Sequence, residues 1–262
     1  MGTVFSSARS RENGRRKAVW TRGVDKGWKM TDTCGDGRDR RSVAKHAAIT
    51  EAALRVFLRE GYARASVDGI AADAGVSKRT IYNHFEGKRE LFLTIVSESS
   101  STLAAEHAGI AARHLGDTED ARAALVDFGD EWLSPRGRRT DHAALVRLLI
   151  AESAHFPEAA RAWVDSGTER VRRDLAEHLR AMADQGLLEI GAGEEEAAAS
   201  HYVSLVRSPA NNHSFFGALP LSEDELKTIV RSGVDAFLRI HGRWGTAARP
   251  APAAAYRGHG RP

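Results

Sequence analysis

The chain of 262 residues carries a single cysteine, Cys34, so it can close no disulfide within itself. A lone thiol suits a reducing compartment, and the expected location is cytoplasmic. No apolar run approaches the roughly 18 residues that a membrane-spanning helix requires. The basic N-terminus is not followed by the apolar stretch of a signal peptide. Aromatic residues make up only 7% of the chain. Strands draw on aromatic and β-branched side chains, whereas the abundant Ala, Leu, Glu and Arg favour helices. The expected fold class is therefore all-α.

Catalytic motifs are also missing. The sequence holds no Gly-x-Ser-x-Gly elbow, no phosphate-binding loop and no dinucleotide fingerprint. Its eleven histidines include no His-x-x-x-His set with acidic partners. No catalytic residue, metal or cofactor is expected, and the chain does not read as an enzyme. Net charge is only +3, because 38 basic residues meet 35 acidic ones. That balance permits contact with nucleic acid without demanding it. Its distribution is uneven: basic residues far outnumber acidic ones up to Lys45, and Arg38, Arg40 and Arg41 cluster near the end of that stretch.

Residues 1–38 lack sustained periodicity and are rich in Gly, Ser and Arg, the composition of a disordered basic extension. Met30 offers an alternative start of translation. Residues 243–262, rich in Ala, Pro, Gly and Arg, read as a second disordered tail. Between the tails, helix follows helix. Ile49, Ala52, Ala53, Val56 and Phe57 keep helical spacing, and Gly61 ends that run. Ser66 is an N-cap for a helix with Val67, Ile70, Ala71 and Ala74 on one side. After Gly75, Ser77 caps a short helix bearing Ile81 and Phe85. A long helix runs from near Lys88 toward Leu115. Helices then follow to Leu133, over 143–154, from Pro157 to about Gln185, and from Glu194 to Val206. A polar loop containing Pro209 is expected after Val206. Ser222 and Glu225 form a capping box for a last helix.

The segment Ser66 to Phe85 reads as a helix-turn-helix. Ala71 lets the two helices approach, and Gly75 supplies the backbone freedom of the turn. The second helix presents Lys78, Arg79, Thr80 and Asn83. Lys and Arg donate to guanine acceptors, Asn pairs with adenine, and Thr reaches a thymine methyl or a phosphate. Tyr82 and His84 are placed to reach phosphates, as is Lys88 at the next helix start. Arg38, Arg40 and Arg41, just before the first helix, are candidates for backbone or minor-groove contact, and Arg40 and Arg41 join the expected DNA-binding set. Ser66 and Ser77, at the helix starts, complete the expected DNA-binding set.

Here the sequence resembles the TetR family of transcriptional regulators. The resemblance rests on Ala52-Ala53-Leu54, Phe57, Glu60-Gly61-Tyr62, Ser66-Val67, Ile70-Ala71, Ala74-Gly75-Val76-Ser77, Thr80-Ile81-Tyr82, His84-Phe85, Lys88 and Leu91-Phe92. A second similarity, to AefR-like C-terminal domains, rests on Leu149-Ile150-Ala151-Glu152, Phe156-Pro157-Glu158 and Gly186-Leu187-Leu188. Gly69, inside the first motif helix, departs from the pattern. There glycine costs about 0.5–1 kcal/mol against alanine.

The resemblance implies about nine helices, a two-fold homodimer and a ligand pocket in each C-terminal domain. It divides the chain into a helix-turn-helix domain over 39–92 and an effector-binding and dimerisation domain over 93–242. The partners implied are a near-palindromic double-stranded DNA operator, a second copy and a small hydrophobic effector. Phe128, Trp132, Leu149, Glu152, Phe156, Trp163 and Tyr202 are the expected pocket residues, with His142, His155 and His201 as further polar candidates. Tyr202, Leu205, Leu226, Ile229, Val230, Gly233, Phe237 and Ile240 are the expected dimer seam. The function implied is that of a ligand-responsive repressor. A transcriptional activator of the same fold, a nucleoid-type binder without sequence preference, and an enzyme with a vestigial DNA-binding domain are the alternatives.

Overall fold

The computed structural model describes residues 21–22, 28–29, 37–134 and 140–243. The chain forms two compact units, Met1–Lys45 and His46–Pro262. In the first, Thr21–Arg22 (β1) pairs antiparallel with Trp28–Lys29 (β2), with Thr21 opposite Lys29. Most of the extension expected over 1–38 lies outside the described residues, as do positions 244–262 of the expected tail.

Apart from that short pairing and an isolated bridge between Leu188 and Gly242, regular structure in the described residues is helical. Nine helices follow one another. They are α1 (Gly37–Glu60), α2 (Val67–Asp73), α3 (Lys78–His84), α4 (Lys88–Leu115), α5 (Ala121–Leu133) and α6 (Thr140–Glu152). Helix α7 runs through Pro157–Trp163, a π-helical turn Val164–Thr168 and Glu169–Asp184. Helix α8 runs likewise through Glu195–Tyr202, a π turn Val203–Arg207 and Ser208–His213, and α9 spans Glu223–His241.

Local chemistry sets these boundaries. Asp120 caps α5 through the Ala123 N–H at 3.0 Å. Pro157 occupies the first turn of α7, where its missing N–H has no intrahelical partner to lose. At α9 the Ser222 and Glu225 capping box is complete in both directions. Two expectations change. Helix α1 begins at Gly37, so Arg38, Arg40 and Arg41 fall inside its first turns and not before it. The loop expected after Val206 is helical to His213. The π turn widens the hydrogen-bond ladder just ahead of Pro209, which then sits in the first turn of the following segment.

The second unit holds two apolar clusters. One joins Ile49, Val56 and Phe57 of α1 to Ile70 of α2, Ile81 of α3 and Leu91, Phe92 and Ile95 of α4. It also takes in Leu145 and Leu149 of α6 and Ala159 of α7. The other joins Ala104, Ala111 and Leu115 of α4 to α5, α8, α9 and the later part of α7. Helix α4, with 28 residues, is about 42 Å long and contributes to both.

The apolar stripe of α9 has a different partner from the one expected. Leu226, Ile229, Val230, Gly233 and Phe237 are all buried within the single chain, as is Tyr202 of α8. Helix α9 packs on α5 and α8, and a Cβ at Gly233 would press on the Leu205 carbonyl. A residue already buried inside one chain has little surface left for a second copy. Of the expected seam, Leu205 remains half-buried and Ile240 is 57% exposed.

Candidate nucleic-acid interface and ligand cavity

Helices α2 and α3 form the helix-turn-helix. Extended Ser66 caps α2 by accepting the Gly69 N–H at 3.0 Å. At the other end the Val76 N–H reaches the Ala71 carbonyl at 3.0 Å, and the Gly75 N–H reaches Ala72 at 3.3 Å. Gly75 turns the chain with φ +63°, a conformation that favours glycine. Ser77 then caps α3, accepting the Thr80 N–H at 3.1 Å and sharing a hydrogen bond with Thr80 Oγ1 at 2.8 Å. Ala71 is buried at the crossing, and fully buried Ile70 and Ile81 join the same cluster.

With Ile81 and Phe85 turned inward, the outer side of α3 carries Lys78, Arg79, Tyr82 and Asn83, all exposed. The side chains of Arg79, Tyr82 and Asn83 make no hydrogen bond or ion pair with a described residue. Lys78 Nζ lies 3.0 Å from Asp68 Oδ1, and that bond raises the pKa of its ammonium. Such an exposed pair is easily given up. Thr80 and His84 are half-buried. The Thr80 hydroxyl serves the Ser77 cap, and the His84 ring stands 6.3 Å from those of His46 and Phe85. The hydroxyls of Ser66 and Ser77 are likewise engaged as caps. Arg41, in the first unit, is exposed. The side chain of Arg40 lies outside the described residues.

Lys88 has a role that the sequence did not suggest. Its Nζ donates to the carbonyls of Tyr62 at 2.8 Å, Ala65 at 2.9 Å and Ala63 at 3.3 Å. It also stands 4.4 Å from the centre of the Tyr62 ring. All three ammonium protons are directed to the turn after α1, so Lys88 fastens that turn and has no donor left for a phosphate.

A second set of contacts ties the DNA-binding helices to α7. The Phe156 ring meets the Tyr62 ring at 4.4 Å and the Phe92 ring at 5.9 Å. Arg89 Nη2 pairs with Glu158 Oε1 at 2.6 Å. Burial pushes the Tyr62 hydroxyl above its usual pKa.

Further along the chain, α4, α5, α6, α7, α8 and the loop after α8 enclose a cavity of about 300 Å³. Trp132 and Trp163, both expected, line it with Leu103, His107, Arg207 and Phe216. The other expected wall residues lie elsewhere. Tyr202 is fully buried and donates its hydroxyl to the Leu125 carbonyl at 2.7 Å, and Phe128 stacks on Trp132 at 5.2 Å. Leu149 and Phe156 belong to the cluster of the DNA-binding helices, and Glu152 faces His155 at 4.0 Å. Of the polar candidates, only His142 lines the cavity; its ring lies 4.7 Å from Trp163. His107 escaped sequence reasoning, since nothing in the pattern of α4 separates it from the other histidines. Burial lowers its pKa to about 3, aided by Arg207 and His142, so the imidazole is neutral. Among the described residues no group of three or more His, Cys, Asp or Glu side chains is arranged to hold a metal. No described helix is long and apolar enough to cross a membrane.

A capped helix-turn-helix with an exposed polar row, joined by one long helix to a helical domain with a cavity, defines a DNA-binding regulator. Residues 49–95 match the family described as bacterial regulatory proteins, tetR family. Residues 124–243 match the AefR-like transcriptional repressor C-terminal domain. The chain belongs to the TetR family. It is 30% identical over 144 residues to the DNA-binding transcriptional repressor TetR of Mycobacteroides abscessus, covering 52% of this chain and 63% of that one. It is 35% identical over 150 residues to the transcriptional activator FasR of Mycolicibacterium smegmatis, covering 53% and 65%. The chain thus spans less than two thirds of either relative. A solved TetR-family regulator from Mesorhizobium loti is 28% identical, with a TM-score of 0.69 over 78% of this chain and 99% of that one.

Proposed function

We infer that this chain is a cytoplasmic, dimeric, ligand-responsive transcriptional regulator whose α3 reads the major groove. The observation that carries this reading is the exposed row of Lys78, Arg79, Tyr82 and Asn83 on a helix fixed by the Ser77 cap and by Ile81. Arg79 suits a guanine edge and Asn83 an adenine edge, while Tyr82 and Lys78 suit the flanking phosphates. A two-fold dimer places two such helices in successive major grooves, so the operator is a near-palindrome. Leu205 and Ile240, the accessible members of the expected seam, are the natural positions for contact with the second copy.

The 300 Å³ cavity is the effector site in this reading. Trp163 lines it and also packs, half-buried, against the cluster that holds the DNA-binding helices. A ligand that displaces Trp163 acts on the α7 segment bearing Phe156 and Glu158, and through them on Tyr62 and Arg89. Shifting operator occupancy from 1:99 to 99:1 this way takes about 5.5 kcal/mol of differential affinity.

The test is operator binding by Arg79→Ala and Asn83→Ala proteins in the presence of competitor DNA. Each substitution should cost about 1–3 kcal/mol on the operator and relax preference at one base pair per half-site. Equal losses on operator and random duplex would overturn the assignment. Repression is favoured over activation by the match of residues 124–243 to a repressor domain. A reporter under the bound promoter, with and without the gene, decides the sign.

A further inference from the structure

We propose that the effector is an aromatic organic cation, with its rings on the Trp132 and Trp163 walls and its ammonium toward Glu106. This rests on the reading of the cavity as the effector site. Three observations carry it. First, the charges on the cavity wall are unevenly compensated. Glu131 is bound by His114 at 2.6 Å and by Arg113, and Arg207 is held 5.2 Å over the Trp132 ring. Glu106 makes no ion pair or hydrogen bond with a described residue. It is the carboxylate left for a ligand.

Second, the cavity adjoins another of about 190 Å³ between α1, α4 and α6, and the two share Leu103, Glu106 and His142. The second carries Glu51, Glu98 and Asp141 beside Glu106, and no lysine or arginine lines it. Glu51 pairs with Arg55 at 3.1 Å and Glu98 with His46 at 2.9 Å, whereas Asp141, like Glu106, has no such partner among the described residues. A positive group entering from this side meets four carboxylates and the His142 ring.

Third, the cavity wall holds a buried imidazole with an unpartnered nitrogen. His107 is 7% exposed, and its Nδ1 is buried without a hydrogen-bond partner. A buried polar atom in that state calls for a partner from a ligand or a water. Being neutral, the imidazole does not repel a cation. The surrounding backbone is also specialised. Both π-helical turns in the described residues border the cavity, which Thr168, Val203 and Arg207 line. Such turns are frequent at functional sites.

The test uses three naphthyl probes of similar size: 2-naphthylmethylammonium, 2-naphthylmethanol and 2-naphthylacetate. Binding to the full-length protein is read by tryptophan fluorescence and by thermal shift, without DNA. The ammonium probe should bind about fivefold tighter than the alcohol, the gain of one partly exposed charge pair. Glu106→Gln should remove that advantage and leave the affinity of the alcohol unchanged. Equal affinity for the ammonium and the alcohol would overturn the proposal. So would tighter binding of the carboxylate, lost in Arg207→Gln. Operator release is measured separately. If the ammonium binds best but leaves operator affinity unaltered, the effector reading fails and the charge preference stands. If only the carboxylate releases DNA, the effector reading stands and the cation proposal fails.

Discussion

Replacing Lys88 by methionine separates a fastening role from a phosphate contact. Methionine keeps the length and apolar stem of lysine but removes the three donors that hold the Tyr62, Ala63 and Ala65 carbonyls. Two of those bonds, at 2.8 and 2.9 Å, have good lengths; the third, at 3.3 Å, is weak. A hydrogen bond to a charged group contributes ~1.5–3 kcal/mol. Because Lys88 is half-buried, the lower end applies to each good bond. The loss is then about 2–3 kcal/mol, which lowers the melting temperature by roughly 5–10 °C in a folded body of this size. The same variant should leave the salt dependence of operator binding unchanged, since no phosphate contact disappears. Each lost contact would otherwise lower the slope of log K against log salt by about one unit. Thermal unfolding and a salt titration of operator affinity are the assays. A slope reduced by one unit with unaltered stability would instead return Lys88 to the phosphate backbone.

Gly233→Ala tests the packing of α9 in the same spirit. The new methyl would meet the carbonyl carbon of Leu205 at 2.9 Å and Val206 Cγ2 at 2.9 Å, an overpacking that costs about 1–3 kcal/mol. Denaturant unfolding should show that loss, whereas unchanged stability with a dissociated dimer would mean that the stripe faces a partner chain. Acid should destabilise the protein through His107. Its folded pKa, about 3, lies below the unfolded value of about 6.5. The unfolded state therefore binds more protons between those limits, and stability falls as pH drops through that window. At pH 5 the loss is about 2 kcal/mol. His107→Phe should flatten this acid limb, and an identical limb in both proteins would place the effect elsewhere.

The helix-turn-helix was legible because its signals are local. Ser66, Ser77 and Gly75 act within four residues of themselves, and spacing alone separates Ile81 from Arg79 and Asn83. The same locality made the Ser222 and Glu225 box readable. What failed depended on partners distant in sequence. The α9 stripe announced a buried face, but periodicity does not say whether the covering surface belongs to the same chain. The carbonyls that engage Lys88 lie 23–26 residues away from it. Leu149 and Phe156 looked like cavity wall on their own helices. Leu149 is buried, and Phe156 half-buried against Tyr62 and Phe92, in the cluster of the DNA-binding helices, because α6 and the start of α7 dock there. His107 gained its neutral, unpartnered state from burial among three other helices, which no spacing rule reports. Gly69 is a milder case. Its N–H serves the Ser66 cap at 3.0 Å, and a Cβ there would stand 3.3 Å from the Ser66 hydroxyl. The same kind of cap is made to Thr80, Ala123 and Glu225, which all carry a Cβ, so the cap does not require glycine and the helix-propensity cost stands.

Reading of a defined base sequence by α3 in a two-fold protein is open to direct measurement. A hydroxyl-radical footprint on the DNA flanking the gene tests it most directly. Two protected half-sites about one helical turn apart, centred on a near-palindrome and lost together in Arg79→Ala, are expected. Uniform, salt-labile protection along any duplex, unaffected by that substitution, would contradict it.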